Sequence, residues 1–485
     1  MLNNDDYVFK VRGNYTLACW GEVFKYSVDD WKTVIDGMAE DQKNTIYFWL
    51  SGLFRSEKYP ESFFYPQTRL KDADVRELIY YCHGKGIKFY LGYGVFAWFG
   101  MDKVAEAHPD TLAKENGGMC PSNELARKIN LEYGMEMLDR YPGVDGFFLE
   151  MRDEYGPCLC DTCQKPLDEH GSKQYGQSEL TWLKEFTTEL WKRKPEAEIS
   201  VTVGYREKGS HTNDPMYYEG IRAMDEPRTY WMAVRDNYEL PGAGGKQYPL
   251  SHFSKQMLHW IQYYSCSPKQ IGEWAARAHK AGAIGACPAF EPGFNSYSYY
   301  SYDVPFPVNV LPYRMTRFAF QQFCGNPELS YDRFKELAAS EFFDPGVDPR
   351  YVEDLLYLSE VIQAACGSRK TRLSRAWKSG WFRECAAVAA KATDGKSLSE
   401  DEWHVVEAAV TEFRKMDHDH SARLAEIETR LMLLESKGGR SRATAEIMRK
   451  AIIDTRWELM FGPEHEELLA RALKNAKCNL PETKG

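Results

Sequence analysis

Eight short apolar segments alternate with helical segments between residue 14 and about residue 325. Strands that alternate with helices pair in parallel through right-handed crossovers, and eight of them close a (β/α)8 barrel, the TIM barrel. The alternative is an open doubly wound sheet, but no glycine-rich phosphate loop follows an early strand. The sequence therefore predicts a TIM barrel with strands at 15–19, 45–50, 87–93, 144–150, 199–204, 229–234, 257–264 and 284–290.

Helix-start and helix-stop signals support this division of the chain. Ser27 and Asp30 form a capping-box pattern, Ser267-Pro268 with Gln270 forms a second helix start, and Gly282 ends that second helix. Strand signals stop after residue 327. We therefore expect two domains, a catalytic barrel over 1–325 and an all-helical domain over 326–485. The helical patterns of the second domain lie at 331–343, 349–366, 380–391, 402–437 and 443–475.

Charge and hydropathy exclude several classes of partner. The net charge of −10 argues against a nucleic-acid ligand, and no apolar run approaches the ~20 residues of a transmembrane helix. The first ten residues show no signal peptide, so we expect a cytoplasmic protein, although a chain trimmed of its signal would look the same. The sequence does not indicate an oligomeric state.

Acidic residues gather at the end of the fourth predicted strand, where a barrel enzyme places its catalytic groups. Glu150, Asp153 and Glu154 lie within five residues, with Arg152 among them. Neighbouring carboxylates are costly to bury, and each raises the pKa of the other, which keeps one protonated near neutral pH. The cluster predicts acid–base chemistry with Glu150 and Arg152 as substrate contacts; the alternative is a surface loop that Arg152 neutralises.

Three cysteines follow this acidic cluster directly. Cys158, Cys160 and Cys163 fall within six residues, a spacing that suits a tetrahedral zinc site better than disulfides. Cys120, in the loop after the third strand, is the natural fourth ligand because adjacent loops meet at the barrel mouth. Four thiolates make a closed, structural zinc site. The alternative is a set of free or partly oxidised thiols.

Residues 153–156, Asp-Glu-Tyr-Gly, and the Cys-x-Cys-x2-Cys that follows them resemble the strand-four region of family 42 β-galactosidases. There an Asn-Glu-Tyr-Gly motif carries the acid/base, and a four-cysteine zinc site follows it. The resemblance implies that Glu154 is the general acid/base and that the zinc ligands are Cys120, Cys158, Cys160 and Cys163. This chain departs from that family in having Asp153 in place of Asn.

The Asp-Glu pair itself is similar to that of family 20 β-N-acetylhexosaminidases. In that family the Asp orients the substrate acetamido group, which acts as the nucleophile, and the Glu protonates the leaving oxygen. The join from residue 308 through GNPELSYDRFKELAASEFF also resembles glycosidases of families 20, 67 and 163. These resemblances imply a glycoside hydrolase with Glu154 as acid/base and Asp153 as the orienting group, acting on an N-acetylhexosaminide.

A conventional retaining glycosidase needs a second carboxylate about 5–5.5 Å from the acid. The seventh predicted strand has no acidic residue at its end, which favours a nucleophile supplied by the substrate. Two candidates remain, Glu291 after the eighth strand and Asp236 after the sixth. A retaining β-galactosidase-like enzyme that uses one of them is therefore an alternative. Glu22, beside the first strand, is a further candidate for substrate contact.

Aromatic residues are frequent, at 14% of the chain, and a carbohydrate substrate needs flat apolar faces on which to stack. Candidates in or just beyond the strands are Trp20, Trp49, Tyr93, Trp98, Tyr205, Trp231 and Trp260. A non-catalytic carbohydrate-binding barrel would keep the same residues. A metal-dependent barrel hydrolase is disfavoured because no His-x-His pair lies on an early strand.

Overall fold

The structure is a computed structural model that describes residues 7–18, 25–98, 100–115, 117–151, 156–203, 213–234, 237–261, 267–288, 311, 313–365 and 399–460. Its centre is a closed barrel of eight parallel strands, which confirms the predicted TIM barrel. The strands are β1 Val11–Leu17, β2 Thr45–Trp49, β3 Lys88–Val95, β4 Gly146–Met151, β5 Glu198–Val203, β6 Thr229–Val234, β9 Met257–Ile261 and β10 Gly285–Pro288, and a separate hairpin joins β7 Glu239–Pro241 to β8 Gln247–Pro249.

Helices cover the outside of the barrel and begin and end where the sequence signals place them. Ser27 accepts from the Asp30 N–H and Ser267 from the Gln270 N–H, and both make complete capping boxes. Gly282 adopts a φ of 90° after the second of these helices. The helices are α1 Val28–Glu40, α2 Asp72–Gly84, α3 Gly100–Ala107, α4 Glu124–Arg140, α5 Asp161–Gln164, α6 Gln174–Arg193, α7 Pro215–Ala223, α8 Pro268–Lys280 and α9 Tyr313–Gly325.

The connection between β6 and β9 departs from the expected strand–helix alternation. Its described residues form the antiparallel β7–β8 hairpin, in which Glu239 pairs with Pro249, and then a single 3₁₀ turn at Leu250–His252. Two prolines and three glycines lie within residues 241–249, and both residue types are poor helix formers. The segment is therefore too rich in helix breakers to form a crossover helix.

The first strand begins four residues earlier than its apolar run suggests. Val11 and Arg12 pair with Gly285 and Ala286, which closes the barrel between its first and last strands. Arg12 is buried, but its guanidinium donates to the carbonyl oxygens of Phe9 and Gln42. A buried arginine satisfied by backbone oxygens does not look like a strand residue in sequence, and the prediction of a strand starting at Tyr15 missed it.

Within the described residues, four helices follow α9 and form the predicted helical region: α10 Tyr331–Phe342, α11 Pro349–Ala365, α12 Glu400–Glu435 and α13 Gly439–Met460. Asp354 on α11 is fully buried and binds both Arg423 and Arg430 of α12, at 2.9 Å and 2.7 Å. Gly438, with a φ of 82°, separates α12 from α13 as expected. The exact domain boundary at 325/326 stays a prediction, and the helix predicted at 380–391 lies outside the described residues. No helix in the described ranges is long and apolar enough to cross a membrane.

An ionised, buried lysine lies at the end of the barrel where the strands begin. Lys43 precedes β2, and its fully buried Nζ lies 3.6 Å from Asp41 Oδ2 and 3.4 Å from Asn14 Oδ1. Arg317 of α9 also binds Asp41, at 2.6 Å. Burial lowers the pKa of Lys43 from 10.5 to about 8, despite the neighbouring Asp41. If Lys43 were replaced, Asp41 would still be paired with Arg317, so this group of charges depends less on Lys43.

We predict that Lys43→Met removes a specific pH dependence of stability. Because the unfolded chain holds a lysine proton up to pH 10.5 and the folded chain loses it near pH 8, the stability of the wild type rises with pH between these values. The gain relative to Lys43→Met should reach about 3 kcal/mol by pH 10.5. Urea denaturation of both proteins at pH 7.5 and 10 measures it, and parallel pH curves would contradict the buried ammonium.

Candidate active site

The end of β4 directs a carboxyl group into the barrel. Successive strand residues face opposite sides of a sheet. Phe147 contacts Phe186 of α6 on the outside, whereas Phe148 contacts the β2 residue Trp49 on the inside. Glu150 shares the inward side with Phe148 and is only 4% exposed. The fourth strand therefore delivers a buried acid to the carboxyl end of the barrel, where active sites of this fold are found.

A phenol from the opposite side of the barrel meets this acid. Tyr15 lies on β1, three strands away from β4 around the barrel. Its hydroxyl donates a hydrogen bond of 2.7 Å to Glu150 Oε2, so the bond spans the barrel interior. A carboxyl group removed from water needs such donors, because its unpaired burial costs several kcal/mol. Tyr15 thus helps to hold Glu150 in place.

Aromatic rings surround the Tyr15–Glu150 pair. The Tyr15 ring centroid lies 5.3 Å from Phe148, 6.1 Å from Trp49 and 5.8 Å from Trp260. Glycines make this possible, because a Cβ on Gly92 would lie 3.1 Å from Trp49 Cα and 3.3 Å from Phe148 Cδ1. Among the described residues, Glu150 therefore lies in a layer of closely packed aromatic rings inside the barrel.

The predicted site residues fall into three groups. Trp49, Glu150 and Trp260 come together at the inward side of the barrel mouth. Tyr93 and Trp231 do not join them, because Tyr93 packs against Tyr133 and Phe186 on the helix side and Trp231 follows the inward-facing position 230. The remaining candidates lie outside the described residues, namely Trp20, Glu22, Arg152, Asp153, Glu154, Tyr205, Asp236 and Glu291.

Sequence reasoning did not name Tyr15 as a site residue. It begins the predicted first strand, and nothing in its local sequence distinguishes it from a core tyrosine. One signal was available: Tyr15 pairs in register with Tyr47, which pairs with Tyr90, so three tyrosines form a row on one face of neighbouring strands. A row of hydroxyl-bearing rings inside a barrel indicates polar partners within it.

The four predicted metal-ligating cysteines lie together beside the mouth. Their sulfur atoms are all within 4.8 Å of one another, and Cys120 Sγ lies 3.8 Å from Cys160 Sγ and 3.5 Å from Cys163 Sγ. Sulfurs bound to one zinc ion at ~2.3 Å in a tetrahedron stand about 3.8 Å apart, whereas a disulfide needs ~2.05 Å. The observed spacing fits a tetrahedral tetrathiolate and not a pair of disulfides.

Hydrogen bonds prepare these sulfurs for negative charge. The Lys114 N–H donates to Cys158 Sγ at 3.3 Å and the Cys163 N–H donates to Cys160 Sγ at 3.4 Å. Ser122 Oγ lies 3.1 Å from Cys163 Sγ. Hydrogen bonds from Cys120 and Cys163 lower the pKa of Cys158, whereas the bond to Cys158 raises the pKa of Cys120 to about 12. A divalent cation would stabilise all four sulfurs as thiolates.

The cysteine group ties together two loops of the barrel mouth. Cys120 lies between β3 and α4, and the other three cysteines follow β4 within and before α5. The Leu159 N–H also donates to the Lys114 carbonyl oxygen across the same two loops. Cys158 lies four residues beyond Glu154 in the chain. The cysteine group therefore lies close in sequence to the predicted catalytic acid.

No protein-family model and no curated protein sequence matches this chain. Among solved structures, a GH138 enzyme targeting pectin rhamnogalacturonan II is similar over 93% of this chain and 71% of its own, with a TM-score of 0.51 and 12% identity. A Thermobaculum terrenum O-GlcNAc hydrolase covers 96% of this chain and 98% of its own (TM-score 0.41, 10% identity). A Flavobacterium johnsoniae chitobiase covers 95% and 73% (TM-score 0.39, 11% identity).

Only the GH138 enzyme exceeds a TM-score of 0.5 among these three. At 12% identity it shows that this chain shares the fold, a barrel with helices after it, and it assigns no residue a role. The chemistry therefore has to be argued from the side chains at the barrel mouth.

We predict that Gly94→Ala destabilises the protein by about 2 kcal/mol, because overpacking a tight site costs ~1–3 kcal/mol. A Cβ at Gly94 would overlap the Ala97 carbonyl oxygen and lie 2.7 Å from Trp98 Cβ. Gly84→Ala is the matched control, since a Cβ there meets nothing within 4 Å in α2. Thermal and urea denaturation compare the two, and equal stabilities would show that the loop after β3 can move aside.

Proposed function

We propose that this protein is a glycoside hydrolase that cleaves an O-glycosidic bond with Glu154 as its general acid/base. The observation that carries the proposal is the inward-facing Glu150, held by Tyr15 among aromatic rings at the carboxyl end of β4. Asp153 and Glu154 follow three and four residues later in the chain. A barrel mouth with an aromatic wall, a buried acid and an adjoining acid pair matches what hydrolysis of a sugar acetal requires.

Each acidic residue has a distinct role in the proposed reaction. Glu154 gives its proton to the leaving glycosidic oxygen as the bond to the anomeric carbon breaks. Asp153 orients the substrate acetamido group, whose carbonyl oxygen attacks that carbon from the opposite face. Water then opens the cyclic intermediate, and Glu154 takes up the proton that this water loses. The substrate is accordingly an N-acetylhexosaminide.

The carbohydrate substrate agrees with two further features. The partly buried Trp260 provides an aromatic ring near the acid, and the fold is shared with a GH138 enzyme that targets a pectin. The net charge of −10 gives the chain no general attraction for polyanions. These properties favour a carbohydrate ligand over a nucleic acid.

We further propose that Cys120, Cys158, Cys160 and Cys163 hold one structural zinc ion. The donor set and the sulfur spacing fit tetrahedral Zn²⁺, which prefers thiolates, and a site closed by four protein ligands leaves no position for substrate. When bound, the ion supplies a fixed joint between the two loops. The residues themselves do the rest: Lys114 and Ser122 satisfy the sulfurs, and the short helix α5 presents Cys163.

We predict that Glu154→Gln lowers kcat on aryl N-acetyl-β-hexosaminides at least 1000-fold without changing the melting temperature. The amide keeps the shape of the side chain but cannot donate the proton, and loss of a general acid costs ~10²–10⁴ in rate. Glu169→Gln is the matched control, because that side chain is 88% exposed.

Retained activity in Glu154→Gln would overturn the assignment of the acid. Trapping with a 2-fluoro sugar separates the two mechanisms that the sequence leaves open. A covalent label on Glu291 or Asp236 would replace substrate assistance with a carboxylate nucleophile. Binding of sugars by the wild type without turnover of any glycoside would make the barrel a carbohydrate-binding module.

We predict that the purified protein carries one zinc ion per chain and that Cys158→Ala abolishes it. Removing one of four thiolates leaves an incomplete tetrahedron, and the loop linkage is lost with the ion. Cys82→Ala is the matched control, because Cys82 is a buried thiol on α2 outside the group. Elemental analysis and a melting curve with and without a strong chelator measure the effect, and a metal-free wild type that melts unchanged would refute the site.

A further inference from the structure

The loop after β3 holds two aromatic residues in a backbone conformation that glycine normally adopts. Phe96 has a φ of 65° and Trp98 a φ of 75°. A non-glycine residue in the left-handed region costs about 1–2 kcal/mol, and bulky side chains are rare there. Such strain persists only where the surroundings impose it, and it concentrates at functional sites.

Two side chains hold the strained loop in place. The Phe96 N–H donates to Asn130 Oδ1 of α4 at 2.9 Å, and the fully buried Phe96 ring lies 5.5 Å from Trp182 of α6. The Trp98 N–H donates to Asp102 Oδ1 of α3 at 3.1 Å. Phe96 is thereby fixed on the helix side of the barrel. This anchoring sets where the next strained residue, Trp98, can lie.

Trp98 lies over the inward side of the barrel mouth, next to Glu150. Gly94 pairs in register with Glu150, so an added Cβ at Gly94 would point inward on the same side as the Glu150 side chain. Trp98 Cβ lies 2.7 Å from that Cβ position. Trp98 is partly exposed, whereas Glu150 is 4% exposed. The strained loop therefore brings the Trp98 side chain to the side of the barrel mouth that Glu150 faces.

We propose that Trp98 is the platform on which the terminal pyranose ring of the substrate stacks, with Glu150 accepting hydrogen bonds from that ring's hydroxyl groups. An indole face gives the C–H side of a pyranose an apolar contact, and a neighbouring carboxylate fixes the rotation of the ring by accepting from its hydroxyls. Gly94 is the residue that makes room for this pairing. The catalytic role of this stacking rests on the proposed function, whereas a sugar-binding measurement tests the stacking on Trp98 separately.

Variants at Trp98 test the proposal through binding as well as through rate. The Glu154→Gln protein serves as the background, and calorimetric titration with N-acetylglucosamine measures Kd. We expect Trp98→Ala and Trp98→Leu to raise Kd at least tenfold and Trp98→Phe to raise it less than fivefold, because phenylalanine keeps a flat ring and leucine does not. In the otherwise wild-type protein the same variants should lower kcat/KM in the same order.

Trp274→Phe is the matched control, a partly buried tryptophan on α8 that packs against the core. Its Kd should stay within twofold of the background protein. Trp98→Leu keeps apolar volume in the loop, so it decides the matter if Trp98→Ala melts early. Equal Kd values for the Trp98→Leu, Trp98→Phe and control variants would overturn the platform, as would a background protein that binds no monosaccharide. A wild type that binds sugar but hydrolyses no glycoside would refute the hydrolase and leave this inference standing.

Discussion

Closure of the eight-stranded barrel is the constraint on which the site depends, because it sorts every strand residue onto an inner or an outer side. The interior has a fixed, small volume, and it is filled by side chains from strands that face one another. Tyr15 can reach Glu150 only because β1 and β4 lie on opposite sides of one closed sheet. The same rule places Tyr93 outside, although it lies on β3 near the mouth and is as aromatic as Trp49.

Glycine residues leave space for the large side chains inside the barrel. Inward positions at Gly13, Gly92 and Gly94 carry no side chain, and the space is taken by rings from neighbouring residues. A Cβ at Gly13 would lie 2.7 Å from the Tyr47 ring, and one at Gly94 would meet Trp98. The large fraction of aromatic residues is therefore compatible with a narrow barrel, because small and large residues alternate around its inner surface.

The sequence predicts where the strands and helices lie, but it predicts much less well which strand side chains face the inside of the barrel. Apolar runs and capping boxes at Ser27 and Ser267 located the barrel, and cysteine spacing located the tetrathiolate cluster that the structure forms. Strands of a parallel barrel are buried on both faces, so they lack the polar–apolar alternation that would mark the inner side. For that reason Tyr93 and Trp231 could not be separated from Trp49 and Trp260 in sequence, and Tyr15 was not recognised.

Buried charged groups lie at both ends of the barrel, and the described contacts that hold them differ in kind. At the amino end, Lys43, Asp41 and Arg317 satisfy one another, which closes the barrel floor with ion pairs. At the carboxyl end, Glu150 receives a phenol donor from Tyr15 across the interior. An ion pair stabilises a buried carboxyl group through an opposite charge, whereas a phenol stabilises it through a hydrogen bond.

The four cysteines link the loops after β3 and β4, which lie beyond the ends of the barrel strands. The loop after β3 buries Phe96 and Met119 in the main core. Beside the mouth, three of the four cysteines form a small separate cluster with Ala113 and with Tyr175 of α6. The metal ion proposed for these four sulfurs would add its binding free energy to the linkage between the two loops in a volume of only a few side chains.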